Sequence, residues 1–234
     1  MFKTIQHRVT KLTMAACLGL AVVLSAAPAA RAASDEQNLV DRARITVDDM
    51  HRDKEFGNAR DLMHRAKGVM IVPALVKGGF FFGGEGGDAV LLTRGPDGSW
   101  SQPAFYTLAS ASFGLQIGLQ QSELVLIVLS DHALNAFMSD EFKIGAQAGL
   151  AIVTLGSMAE ADTTSHLNAD IVIWASSTGV YGGLTLNGSL IKPRTEYNAG
   201  FYGRAENPAD IVLRRTAPVV PSSLPLQQAL TNAS

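Results

Sequence analysis

The chain has 234 residues, 47% of them hydrophobic and 17% charged, enough to bury one substantial core or two small ones. Its formal net charge of −2 becomes −6 if residues 1–32 are removed, leaving 15 basic against 21 acidic side chains. A chain this acidic is not a general polyanion binder, which excludes nucleic acid as an expected partner and leaves any affinity for anions to a local patch.

Lys3, Arg8 and Lys11 precede an apolar stretch from Leu12 to Ala27, and Ala30-Arg31-Ala32 follows as a small-residue cleavage site. This pattern predicts a signal peptide over residues 1–32 and a processed chain that is periplasmic or secreted. Thr13 and Ser25 interrupt the stretch, which is too short to span a membrane comfortably. Cys17 is the single cysteine, and Met14-Ala15-Ala16 before it stands in for a lipobox. The apolar run continues past Cys17, so a lipoprotein anchor there is the lesser alternative. The processed chain then has no cysteine, and packing alone must hold it together.

Ser34-Asp35-Glu36-Gln37 has the form of a capping box and predicts a helix with Leu39, Val40, Ala43, Val47 and Met50 on one stripe. A second helix is expected from about Asn58, with Leu62, Met63 and Ala66 inward and Gly68 as its left-handed cap. From Val69 the period changes to two. Phe113 to Gln120, Phe142 to Leu150 and Val180 to Leu190 alternate apolar with small or polar residues, as strands with one buried face do. Leu124 to Leu129 is a continuous apolar run and reads as a central strand covered on both sides. Pro96-Asp97-Gly98 reads as a hairpin turn, and Ser130 caps a short helix carrying Ala133, Leu134, Phe137 and Met138.

These elements make an α+β fold: a strongly curved, mainly antiparallel sheet or small barrel, with two N-terminal helices and short helices packed on it. Glycine inside a strand costs roughly 0.5–1 kcal/mol relative to alanine, so the many glycines here serve curvature or the close approach of a backbone or ligand. The folded domain is expected over residues 33–217. Residues 218–234, with Pro218, Pro221 and Pro225, read as a loose tail with at most a short Leu226 to Leu230 helix.

Chemistry-bearing motifs are absent. Gly83 to Gly87 lacks a following Gly-Lys-Ser/Thr and leads into strand-like residues, so no phosphate loop forms there. His51, His64, His132 and His166 show no metal-ligand spacing, and neither Asp131-His132 nor Ser165-His166 makes a catalytic triad on its own. No cofactor, metal site or enzymatic activity is expected.

Ala66-Lys67-Gly68-Val69-Met70-Ile71-Val72-Pro73, Val76-Lys77-Gly78-Gly79-Phe80, Gly83-Gly84-Glu85-Gly86-Gly87, Ser99-Trp100-Ser101-Gln102-Pro103-Ala104-Phe105 and Ser112 to Gln120 stand in one order along the chain. Phe142 to Gly149, Asp170-Ile171, Gly179-x-Tyr181-x-Gly183-x-x-Leu186-x-Gly188, Asn198 and Tyr202-Gly203 follow. This series resembles the SYLF family of lipid-binding domains, found in bacteria and in eukaryotic proteins that link phosphoinositide membranes to actin. With the leader, it reads as an exported bacterial member. The resemblance implies a non-enzymatic module that recognises anionic phospholipid at a membrane surface of the cell envelope.

Two departures stand out: Ala175-Ser176-Ser177-Thr178 carries no positive charge where family members often do, and Gln147 replaces a common acidic residue. The first removes a natural headgroup contact and weighs against phosphoinositide recognition. The basic side chains expected at a lipid surface are Arg65, Lys67 and Lys77, with Lys192 and Arg194 as a second cluster, while Phe80, Phe81 and Phe82 insert into the headgroup layer. The alternative is an envelope protein that meets a protein partner and has no lipid specificity. A small outer-membrane barrel fits less well, because Leu124 to Leu129 is apolar on both faces.

Overall fold

Ser34 opens helix α1 (Asp35–Arg52) by accepting a bond from the Gln37 amide at 3.3 Å. Only half of the capping box closes, because the Gln37 side chain donates to Asp41 and to the Ser222 carbonyl instead. The expected stripe of Leu39, Val40, Ala43, Val47 and Met50 is buried, joined by Thr46, whose hydroxyl donates to the Glu123 carboxylate at 2.7 Å. The structure is a computed structural model and describes residues 33–57, 60–79, 82–113, 118–144, 151–154, 169–176 and 188–234.

Two short helices follow, α2 (Lys54–Gly57) and α3 (Arg60–Arg65), and Gly68 is not the cap of the second. It is the first residue of β1 (Gly68–Gly79). A Cβ at Gly68 would lie 3.1 Å from the Leu92 carbonyl and 3.4 Å from a Leu134 methyl, so the missing side chain serves tight packing rather than a turn.

The sheet adds β2 (Phe82–Thr93), β3 (Ala104–Phe113), β4 (Gly118–Val128), β5 (Phe142–Lys143), β6 (Ile152–Thr154), β7 (Ile171–Ala175) and β8 (Leu190–Pro193). Their order is β5-β8-β3-β2-β1-β4-β7-β6, and every pairing is antiparallel except β6 with β7. It is a curled, mainly antiparallel half-barrel with helices on it, as expected from the pattern of periods. The stretch from Phe113 to Gln120 is not one strand: β3 ends at Phe113 and β4 begins at Gly118. Most of Phe142 to Leu150 and of Val180 to Leu190 lies outside the described residues.

Alternation along the central strands feeds two cores. Val69, Ile71, Val90, Leu92, Val125, Ile127, Val172 and Trp174 meet α1, α3 and a C-terminal helix α6 (Leu224–Asn232) on one face. Met70, Val72, Leu91, Leu124, Leu126, Val128, Ile171 and Ile173 face the other way, toward α4 (Asp131–Ala136), Phe137, Phe142 and Ile144, with Ile211 and Val212 of a π-helical turn (Ala209–Leu213). Both faces are therefore covered, which is why Leu124 to Val128 reads as unbroken apolar sequence. Pro73 cannot donate to a ladder, and the register of β1 shifts around it against both neighbours. Gly87 makes room for that bulge, since a Cβ there would strike the Ala74 carbonyl.

The segment after residue 217 is not a loose tail. A 3-10 turn (Pro221–Ser223) leads into α6, and Leu226, Ala229, Leu230 and Ala233 are buried against α1 and the sheet. Prolines at its start are compatible with a helix because the first turn has no internal partners for its amides. Before it, α5 (Thr195–Tyr202) ends at Gly203 with φ of 68°. Its buried Asn198 accepts from the Phe105 amide at 2.9 Å, and Tyr202 donates to the Pro103 carbonyl at 2.6 Å.

Candidate functional site

The basic residues singled out in the sequence do not gather into one patch. Arg65 is exposed at the end of α3. Lys67 lies just before β1, half-exposed, with its ammonium 3.4 Å from the Asp131 carboxylate. Lys77 sits ten residues along β1 from Lys67, roughly 30 Å for extended chain, opposite Glu85 on β2 and Gln120 on β4. Lys192 is on β8, roughly 14 Å across three strand spacings from β1, and pairs with Glu141 at 2.9 Å. Arg194 bonds Asp88 at 2.7 Å and Glu196 at 2.9 Å, and its guanidinium lies 3.4 Å from the centre of the Tyr197 ring. Phe80 and Phe81 lie outside the described residues, and Phe82 is described only as the first backbone position of β2.

Glu85 is 7% exposed despite its charge. Burial raises its carboxyl above the ordinary range, opposed by the charge of Lys77 and a bond from Ser110. Lys77 is thus tied to a local charge balance within the sheet.

What the fold does assemble is a groove at the other end of the sheet, where Lys67 emerges. The hairpin after β2 turns as expected: Gly98 has φ of 80°, its amide donates to the Gly95 carbonyl at 2.9 Å, and Arg94 pairs with Trp100. Thr93, Arg94, Gly95, Pro96 and Asp97 form one wall, and Leu134, Val212, Leu213 and Arg215 the other, around about 490 Å³.

Each arginine is held from behind. The Arg94 amide donates to the Lys67 carbonyl at 2.9 Å, and its Nη1 donates to the Met63 and His64 carbonyls, both at 3.1 Å. Its guanidinium also lies 5.8 Å from the Trp100 ring centre. Arg215 is the one described non-glycine residue in the left-handed region, with φ of 55°. It donates to the Ser99 hydroxyl at 2.8 Å and to the Thr93 and Ser99 carbonyls at 3.0 Å each. A Cβ on Gly95 would lie 2.7 Å from both Arg215 Nη1 and Asp97 Oδ1, so this glycine lets charged groups close over the backbone. Asp97 is fixed through Oδ1 by the Ser99 amide at 3.1 Å and hydroxyl at 2.7 Å. Those bonds, with Arg215 adding to them, hold its carboxyl below the usual range.

Sequence reading missed both arginines. Arg94 stands outside the basic window of the N-terminal helices, and Thr93 and Arg215 are 122 positions apart, a juxtaposition that no spacing rule encodes. Among the described residues no group of three His, Cys, Asp or Glu is placed to hold a metal ion, and no helix is long and apolar enough to cross a membrane.

Sequence comparison adds the family. The family described as Ysc84, Las17-binding protein actin regulator, matches residues 109–233. The chain belongs to the Ysc84/SYLF family. It is 32% identical over 139 residues to the SH3 domain-containing YSC84-like protein 1 of Rattus norvegicus, covering 59% of this chain and 41% of that protein. The human protein of the same name is 31% identical over 153 residues, 65% of this chain and 44% of its own length. LAS seventeen-binding protein 3 of Saccharomyces cerevisiae is 32% identical over 146 residues, 61% of this chain and 32% of its own. The chain thus spans less than half of these relatives, of which the yeast protein is named for binding. The Ysc84 match runs through α6, in keeping with that helix being part of the packed domain.

Proposed function

We propose that this chain is a non-enzymatic lipid-binding module of the bacterial cell envelope. After export it recognises anionic phospholipid at a membrane surface. The observation that carries the reading is the end of the sheet where Arg94, bonded to the His64 and Lys67 carbonyls, stands beside exposed Arg65 and Lys67, next to a groove lined by Arg215 and by Leu213, which is 42% exposed. Family membership supports a binding role, and a cation near an anionic surface contributes about 1 kcal/mol, so several acting together are enough to dock a domain. Lys67, Lys77, Lys192 and Arg194 contribute less in this reading than Arg65 and Arg94, because their carboxylate neighbours partly offset them.

The test is co-sedimentation of the processed chain with vesicles containing phosphatidylglycerol, cardiolipin or phosphatidic acid, at low and high salt. Binding that falls as salt rises supports the proposal; absence of binding at low salt to all three rejects it. A second reading, a protein-interaction module of the envelope without lipid specificity, is favoured by the family's description as Las17-binding. Capture of a defined envelope protein together with failure in the vesicle assay would select it.

A further inference from the structure

We infer that the chain docks end-on to an anionic lipid surface, through the end of the sheet that carries Lys67, with Pro96 and Leu213 entering the headgroup layer. This rests on the lipid-binding reading above and deepens it by fixing which end meets the membrane and which side chains enter it. Three observations carry it.

The first is register. Gly68 pairs with Thr93 and with Val128, and Val128 pairs with Ile171, so the central strands finish in one row. Beyond that row lie α3 with Lys67, the β2–β3 hairpin, α4 and the π-helical turn, gathered at one end although they belong to different faces. Arg94 is turned toward α3 and Trp100, whereas Leu213 and Arg215 lie with Leu134. A surface laid against either face would reach only one of these sets. A surface met end-on reaches both.

The second is charge. Residues 60–67, 94–99, 130–136, 170 and 209–215 hold six cations and five carboxylates, and one of the five, Asp170, is held by Ser130 and the Ala151 amide. The rest of the processed chain holds nine cations against sixteen carboxylates. The molecule is therefore polarised: an anionic surface attracts this end and repels the remainder.

The third is a braced apolar tip. Pro96 is exposed in the hairpin turn and has no amide to desolvate, and Leu213 belongs to neither core and is exposed. Arg215 donates to the Ser99 hydroxyl and to the Thr93 and Ser99 carbonyls, fastening the π-helical turn and the residues after it to the hairpin. Pro96 and Leu213 are thereby presented together, with little left to order on docking.

The processed chain has no cysteine, so a single one can carry a probe. Pro96→Cys and Leu213→Cys are labelled with the environment-sensitive dye NBD. Val76→Cys is the control, because Val76 is exposed and lies roughly 25 Å along β1 from Gly68. Each labelled chain is mixed at low salt with phosphatidylcholine vesicles containing phosphatidylglycerol, and co-sedimentation is measured on the same samples. Emission is expected to rise, shift to the blue and be quenched by a nitroxide-bearing lipid at the Pro96 and Leu213 positions, with no change at Val76. Unlabelled Leu213→Glu should bind about tenfold more weakly, since an apolar side chain is lost from the layer and a repelling charge is added.

Sedimentation with either the Pro96 or the Leu213 position silent, an equal response at Val76, or Leu213→Glu binding as tightly as the parent would overturn end-on docking while lipid binding stands. Chains that do not sediment with the vesicles would remove both readings.

Discussion

Two glycines of similar appearance in the sequence should answer very differently to alanine. At Gly87 the added carbon meets the backbone of Ala74, which cannot swing away, so Gly87→Ala should destabilise by about 1–3 kcal/mol in chemical denaturation. At Gly95 it meets the ends of Arg215 and Asp97, which can move, so Gly95→Ala should cost much less in the same measurement. Glu85 makes a pH prediction with a definite sign. Its folded carboxyl titrates above the ordinary range because it is buried, so its neutral form is the one the fold favours. Its penalty is therefore absent below the ordinary carboxylate pKa and grows as pH rises through the raised one. Glu85→Gln should raise the melting temperature at pH 7, with the gain vanishing near pH 4; a gain that is instead larger at low pH would contradict this assignment.

At the scale of elements, α6 and α5 are where the molecule departs most from what its residues announce. Three prolines and small polar residues read as an extension, but Pro221 and Pro225 sit where helical turns begin, and Leu226 and Leu230 are fully buried. Leu230→Ala should therefore cost about 2–5 kcal/mol in urea unfolding, a value that a frayed tail would never give. Asn198→Ala should cost about 1–3 kcal/mol, since the buried Phe105 amide loses its acceptor. Elements defined by local pattern were legible: the Ser34 and Ser130 caps, the α1 stripe, the Pro96-Asp97-Gly98 turn and the doubly covered strand at Leu124 to Val128. Gly68 was misread because close packing and a helix cap demand the same residue type. The break between β3 and β4 was hidden because both flanks keep the same period of two. The groove was invisible for a different reason: Arg215 reaches Thr93 and Ser99 only after the π-helical turn has folded back onto the end of β2, where the Thr93 hydroxyl donates to the Val212 carbonyl.

For the whole molecule, the two cores on opposite faces of one sheet make stability and binding separable. Leu213 belongs to neither core, so a Leu213→Glu chain should melt with the same cooperativity as the parent. The bond from Gln37 to Ser222 has a topological implication. Helices α1 and α6 begin side by side, and the nine residues of α6 extend only about 14 Å from that meeting point. A linker of about six residues would span the gap back to Ser34. A circular permutant reopened in the exposed loop at Ser139-Asp140 should then fold and keep the groove, because the order in which the strands are threaded is less important to this architecture than which ones end up adjacent.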